Sequence, residues 1–322
     1  MQTVQFLMYG EPNQVLEIRE TPPPTVTAGQ SLVRMTARPI HPADLLYIRG
    51  RYGLRAAFPS HVGFEGVGVV EQVGDGSALT VGQRICLTQL GTWQEYVLVP
   101  DFVTMNIPDE LDDLTAAQAL INPVTAYGLL EALKLNPGDW LLQSAGNSTV
   151  GRIITLLAAQ RGIQVIDIVR RDGWEETLLG LGAKAVINIE KNNLIGKVRE
   201  LTHGKGLRAA VDAVGGTTGV QILDCLNTDS ILILYGQLGA HPLQVHNLDV
   251  IYRNITLKGF FLPNWLKKLT PEEKEQTRSN VMALLLSGNN QLQVDSSYPL
   301  SEVKKAVVHS DSPGRKGKIM LV

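Results

Sequence analysis

The stretch Trp140-Leu-Leu-Gln-Ser-Ala-Gly-Asn-Ser-Thr-Val-Gly151 decides the fold. It opens with an apolar run, passes through small residues, and continues as Arg152-Ile-Ile-Thr-Leu-Leu-Ala-Ala-Gln160. Val150, Ile153, Ile154 and Leu157 recur at helical spacing there, and Gly162 supplies a stop. A strand, a small-residue turn and a helix form the first unit of a dinucleotide-binding fold. The free N–H groups and the dipole at the helix start favour a pyrophosphate. In frame the turn reads Gly146-x-Ser148-x-x-Gly151, with Ser at the middle glycine of the usual fingerprint. Such a turn also needs small residues for packing alone, so this stretch by itself leaves both readings open.

Working outward, Gly162-Ile-Gln-Val-Ile-Asp-Ile-Val169 reads as the second strand and runs into Arg170-Arg171-Asp172. Proteins that bind NAD place an acidic side chain at this point for the ribose 2′-OH. Two arginines stand there instead, and their planar donors suit a 2′-phosphate. A pair of solvated loop charges is the plainer alternative. The position after the second strand favours the phosphate, and NADPH is the expected cofactor.

The chain has 322 residues, enough for two domains with full cores. With 19% charged and 44% hydrophobic residues it reads as a soluble globular enzyme. The formal net charge is −2 and no tract is basic, so no nucleic-acid partner is expected. No apolar run approaches the ~20 residues of a membrane span. The N-terminal residues resemble neither a secretory signal nor an Arg/Ser-rich transit peptide, and a cytoplasmic location is expected. Cys86 and Cys225 each sit in apolar surroundings and read as buried thiols rather than a disulfide or metal cluster.

Residues 1–115 are mostly β in pattern. Short alternating runs such as Val4–Met8, Val15–Arg19, Ser31–Thr36 and Val67–Val73 are divided by Gly10-Glu-Pro-Asn13 and Pro22-Pro-Pro-Thr25. This predicts a barrel-like β domain. Residues 116–262 alternate strands with helices, which predicts a doubly wound parallel sheet. The tail carries a polar helix over Pro271–Leu286, a short helix near Ser301–His309 and a closing strand from Lys318. These are too short for a core of their own, so residues 263–322 are assigned to the first domain.

The order of blocks resembles the medium-chain dehydrogenase/reductase superfamily over essentially the whole chain. The blocks are His41-Pro-Ala-Asp-Leu, Gly50-Arg-Tyr-Gly, Gly63-Phe-Glu-Gly-Val-Gly, Gly91-Thr-Trp-Gln-Glu-Tyr, Asn122-Pro-Val-Thr-Ala-Tyr and Leu135-Asn-Pro-Gly-Asp-Trp, with Gly236. Asn122-Pro-Val-Thr-Ala-Tyr, Gly146-Asn-Ser-Thr-Val-Gly and Ile168-Val-Arg are most similar to the mitochondrial-type 2-enoyl thioester reductases. The resemblance implies an α/β architecture, a GroES-like β domain beside a Rossmann domain. It also implies NADPH-dependent reduction in fatty acid metabolism, and a homodimer is expected. Enoyl thioesters, on CoA or an acyl carrier, and quinones are the implied substrates.

Zinc is not expected. The catalytic metal of related alcohol dehydrogenases is held by a Cys, the His of a Gly-His-Glu block and a further Cys or Asp. Here those places carry His41, Phe64 in Gly63-Phe-Glu65, and no nearby thiol. Phe64 has no lone pair to donate, and a catalytic site needs three protein ligands. His41 is then read as a loop or pocket-wall residue.

Metal-free enoyl reduction needs hydride at Cβ, a proton at Cα and stabilisation of developing enolate charge. By resemblance, Tyr52 in the Gly-x-Tyr block is the proton donor; its plainer reading is an amphipathic loop residue. Arg51 and Arg55 flank it and suit either solvent or a phosphate-bearing carrier. The resemblance also implies cofactor contacts: Asn122 on the nicotinamide side, and Gly146, Asn147, Ser148, Thr149, Val150 and Gly151 at the pyrophosphate. Arg170 with Arg171 would meet the 2′-phosphate, and Tyr235 with Gly236 would lie at the sheet's carboxyl edge. Phe260, Phe261 and Leu262 would close over nicotinamide and acyl chain, unless they are strand core. A C-terminal lysine, Lys316 or Lys318, completes the set. Three functions stay open: an enoyl thioester reductase, a quinone or small-enone reductase, and a non-catalytic NADPH-binding protein.

Overall fold

The computed structural model describes residues 1–239 and 241–322. The chain divides into two compact units, Met1–Ile121 with Arg278–Val322, and Asn122–Thr277.

In the first unit the long strand Gln30–Pro39 organises a seven-stranded sheet. It pairs antiparallel with Glu65–Val73, with Tyr96–Pro100 and with the C-terminal strand Lys318–Leu321. Alternation explains the pairing, because Val33, Met35, Val70, Ile85, Val97 and Val99 all turn into one buried cluster. Gln2–Phe6 lies between Leu16–Glu20 and Ser60–His61 in a separate three-stranded sheet. Its Val4 and Phe6 enter a second core with Tyr47, Trp93, Val303 and Ile319. The tail is thus part of this unit's core, through Met320 opposite Pro39 and Leu321 opposite Arg38.

The second unit is a six-stranded parallel sheet. Its spatial order is Ala185–Asn188, Gln164–Val169, Trp140–Gln143, Leu207–Asp212, Leu226–Leu234, Thr256–Gly259. In sequence terms this is the order 3-2-1-4-5-6 of a doubly wound Rossmann sheet, which reverses between Trp140–Gln143 and Leu207–Asp212. Buried parallel strands read as continuous apolar runs, and Val165 to Val169 are buried throughout. The helix Thr149–Gln160 stops where Gly162 takes φ +72°, a conformation a side chain resists.

Three expectations need correction. The units part after Ile121 and after Thr277, rather than at 115/116 and 262/263. Residues 116–121 stay with the first unit because Glu65 accepts from the N–H groups of Leu120 and Ile121. Residues 263–277 go with the second, where Trp265 and Phe260 pack over Gly128 of the helix Asn122–Leu133. His41, expected as a loop or pocket-wall residue, is the N-cap of the helix Pro42–Ile48. Pro42 stands at its first turn and the Asp44 carboxylate accepts from His41 N–H at 2.6 Å.

Candidate active site

At the start of the helix Thr149–Gln160, Ser148 is the N-cap: its Oγ accepts from Gly151 N–H at 3.0 Å. The first-turn N–H groups of Thr149 and Val150 have no intrahelical acceptor and suit an anion. Gly146 and Gly151 are fixed by packing. A Cβ on Gly146 would lie 2.3 Å from Asp167 Oδ1, and one on Gly151 would lie 2.6 Å from the carbonyl oxygens of Ala145 and Gly146. Beneath the turn, Gln143 Nε2 donates to Asp167 Oδ1 at 2.5 Å and Thr155 Oγ1 donates to Asp167 Oδ2 at 2.9 Å. Burial raises the Asp167 carboxyl to about 7 against these two donors.

At the reversal of strand order, Ser144 Oγ donates to Asp212 Oδ1 at 2.5 Å. Asp212 also accepts from Val214 and Gly215 N–H, so the carboxyl ends of the two central strands are locked together. Tyr235 and Gly236 follow the next strand at this edge. A Cβ on Gly236 would come within 2.9 Å of Ala213 O. The Tyr235 hydroxyl is buried and makes no hydrogen bond of full geometry among the described residues. Burial raises its phenol, Asp212 adds to the shift, and the Ser148 side chain weakly opposes it. Among the described residues, Asn122 Nδ2 is a second buried donor with no hydrogen-bond partner.

After the second strand, Arg170 and Arg171 are exposed, and among the described residues neither has a carboxylate partner. Asp172 is already engaged: it accepts from Asn188 Nδ2 at 2.7 Å and pairs with Lys191. The acidic group that would bind a ribose diol is thus committed elsewhere. First-turn N–H groups, the buried Asn122 amide and Tyr235 hydroxyl, and the exposed Arg170 and Arg171 together fit an anionic dinucleotide.

The first unit holds a buried cluster of charge. Lys318 Nζ lies 3.0 Å from His41 Nδ1, and His41 Nε2 lies 2.6 Å from Glu65 Oε2. An ammonium has no lone pair, so Nδ1 accepts and the Nε2–H donates to Glu65. Burial, then the Lys318 charge, holds the imidazole well below its ordinary value, hence neutral. Burial raises the carboxyls of Glu65 and Asp44 and lowers the Lys318 ammonium. Tyr52 packs against Phe64, next to Glu65, with ring centroids 5.2 Å apart and the planes tilted by 38°. Burial and then the Asp44 carboxylate raise its phenol to about 12.

The model described as the alcohol dehydrogenase GroES-like domain matches residues 27–109, and that described as zinc-binding dehydrogenase matches residues 149–282. The mitochondrial enoyl-[acyl-carrier-protein] reductase of Mus musculus is 30% identical over 99% of this chain and 88% of its own. The chain belongs to the medium-chain dehydrogenase/reductase superfamily. Within it, a solved structure of a proposed NADPH:quinone reductase from Bacillus thuringiensis superposes with TM-score 0.93. It is 34% identical and is matched over 100% of this chain and 98% of its own. The Escherichia coli quinone oxidoreductase complexed with NADPH gives TM-score 0.91 at 25% identity over all of both chains.

Superfamily membership frames what the sequence placed and missed. Gly146 to Gly151, Arg170, Arg171, Tyr235 and Gly236 lie at carboxyl ends of strands in one parallel sheet. Phe260, Phe261 and Leu262 are not strand core, since the strand Thr256–Gly259 ends before them. Phe260 packs on Trp265, Phe261 is exposed, and Leu262 opens a short helix. Lys316 is exposed, whereas Lys318 is buried against His41. His41 is a cluster member rather than a pocket wall. Among the described residues no group of three or more His, Cys, Asp or Glu side chains is placed to hold a metal. Cys86 and Cys225 are both free and buried.

Proposed function

We propose that this chain reduces the C=C bond of 2-enoyl thioesters with NADPH, Tyr52 giving the proton to Cα. It is an NADPH-dependent oxidoreductase of the enoyl reductase and quinone reductase type. When bound, NADPH supplies the hydride that ends on Cβ. In this reading the first-turn N–H groups of Thr149 and Val150 hold the pyrophosphate, Arg170 and Arg171 the 2′-phosphate, and the Asn122 amide orients the nicotinamide end. The observation that carries the acid role is the state of Tyr52. It is partly buried against the first unit's core, beside Phe64, and its phenol, raised to about 12 by burial, keeps its proton throughout the neutral range until a strong base such as a carbanion meets it. The enolate carbon formed after hydride addition is such a base. Exposed Arg51 and Arg55 on either side support a phosphate-bearing carrier as the thioester's other half.

A quinone or small enone is the second reading, favoured by the 34% identical quinone reductase structure. An NADPH-oxidation assay with crotonyl-CoA, crotonyl-acyl carrier protein and a simple quinone separates the two. Turnover of the quinone alone would overturn the thioester reading.

A homodimer is supported by the second unit's edge. Among the described residues the strand Thr256–Gly259 pairs on one side only and is exposed along its length, Leu257 included. The helix Asn247–Arg253 exposes Leu248, Ile251 and Tyr252. Two unpaired thiols suit a reducing compartment such as the cytoplasm. No helix among the described residues is long and apolar enough to cross a membrane.

A further inference from the structure

Arg152 stands one turn into the helix that follows the Gly146–Gly151 turn, yet its side chain is only 2% exposed. An arginine on a surface helix ordinarily keeps its head in water, and burying a guanidinium is costly. Here the chain folds back under the turn. Nη1 donates to Asn147 O at 2.7 Å, and the guanidinium carbon lies 5.7 Å from the centre of the Trp174 ring. Burial lowers the group to about 10, so it stays charged at neutral pH. Trp174 in turn packs with Val169, Leu178 and Leu181 and sits three residues beyond Arg171.

We propose that Arg152 is a positioning residue for cofactor choice, tying the segment Arg170–Trp174 to the pyrophosphate turn so that the two arginines meet the 2′-phosphate. This rests on the reading of NADPH as cofactor. The turn does not depend on Arg152 for its own shape. Gly146 N–H donates to Ile168 O, Ser148 N–H to Ala145 O, and Gly151 N–H to Ser148 Oγ. The exposed segment that carries Arg170 and Arg171 has no comparable set of backbone bonds among the described residues. Its fastenings are Asp172 to Asn188 and Lys191 at one point, and at its end Trp174, set between the Arg152 guanidinium and the cluster of Val169, Leu178 and Leu181. Losing the guanidinium therefore frees the turn-facing side of Trp174 and loosens the 2′-phosphate end, while the turn gives up one bond to Asn147 O and keeps its own backbone bonds.

The test is cofactor titration by nucleotide fluorescence on the full chain, with NADPH and NADH, for wild type, Arg152→Met, Arg152→Lys, Trp174→Leu, Arg170→Ala and the double variant Arg152→Met/Arg170→Ala. Arg152→Met should weaken NADPH about tenfold and NADH by less than about threefold, and Arg152→Lys should recover part of the difference. In the double variant the two losses should overlap rather than multiply, since both act on one contact. If Arg152→Met fails to fold, Trp174→Leu, which keeps the charge, must show the same selective loss. Equal weakening of both cofactors, or fully multiplicative effects, would mean a structural arginine only and would overturn the proposal. A wild type that binds NADH as tightly as NADPH would instead overturn the cofactor reading beneath it.

Discussion

Lys318 and His41, 277 residues apart in sequence, meet at 3.0 Å inside the first unit, and their pairing determines which imidazole nitrogen carries the proton. The ammonium charge is passed through a neutral imidazole to Glu65, which accepts from Leu120 and Ile121 N–H just before the second unit begins. One cation thus serves two buried carboxylates, Glu65 and Asp44. Removing it by Lys318→Met leaves the ionised fraction of the two without a countercharge, at a cost of up to about 3–5 kcal/mol, reduced by the protonated share that burial imposes on Glu65 and Asp44. Chemical denaturation of the two proteins at neutral pH measures the difference, and a loss below 1 kcal/mol would mean that the carboxyls are already protonated in the wild type.

Gly146 is where packing leaves least room for change. Alanine there must displace the buried Asp167 carboxylate, which lies 2.3 Å from the added Cβ, and Asp167 cannot move without breaking its bonds to Gln143 and Thr155. Gly146→Ala should cost about 1–3 kcal/mol and weaken NADPH and NADH alike. An unchanged melting temperature would show that the turn yields more easily than its hydrogen bonds imply.

Asp167 itself gives a pH signature. Burial raises its carboxyl from 3.8 to about 7, so the fold favours the protonated form. That contribution is complete below about pH 4 and is lost as pH rises through about 7. Asp167→Asn stays neutral at every pH and lacks the effect. The melting temperature of wild type relative to Asp167→Asn should therefore fall between about pH 4 and pH 7 and level off above that. A constant difference across that range would place the carboxyl's titration elsewhere.

The Rossmann unit was legible because buried parallel strands are apolar runs and the helices between them keep a 3.6-residue period; both are local patterns. The turn was legible in its residue types but not in its reasons. Ser148 replaces the middle glycine because it caps the helix, and Gly146 is glycine because Asp167 crowds it. The helix Pro42–Ile48 carried its start signal in Pro42 and Asp44, yet seven residues are too few to show a period. The Lys318–His41–Glu65 cluster was hidden altogether, since no local pattern relates side chains brought together by strand pairing. A buried lysine at the head of the C-terminal strand was the one available hint.

Cofactor preference follows from what the segment after the second strand leaves unpaired. Arg170 is exposed and without a carboxylate partner among the described residues, while Asp172 is held by Asn188 and Lys191. Arg170→Ala should weaken NADPH by roughly 5- to 150-fold and leave NADH within a factor of about two. Calorimetric titration with both cofactors checks it, and an equal loss for the two would remove Arg170 from the 2′-phosphate.

Tyr52 separates the two substrate readings. Tyr52→Phe removes one hydroxyl and keeps the ring that packs against Phe64, so the core around it should hold. NADPH affinity should also hold, because the residue belongs to the first unit and the proposed pyrophosphate and 2′-phosphate contacts to the second. A positioned general acid contributes on the order of 10²–10⁴-fold, and kcat with an enoyl thioester should fall within that range. Quinone reduction should change far less, since quinol oxygens take protons from water. Because burial and Asp44 hold the phenol near 12, thioester turnover by the wild type should show no loss from Tyr52 ionisation below about pH 11. Both substrates must be assayed on one preparation, beside a melting curve that excludes unfolding. Near-full thioester activity in Tyr52→Phe would move the proton to another donor. His41 is a poor candidate for that role, because its only N–H is already given to Glu65 and its other nitrogen faces an ammonium. An ordered water would then be the remaining acid, and a site that protonates from water has no requirement for a thioester enolate. That outcome would shift the assignment to quinone reduction.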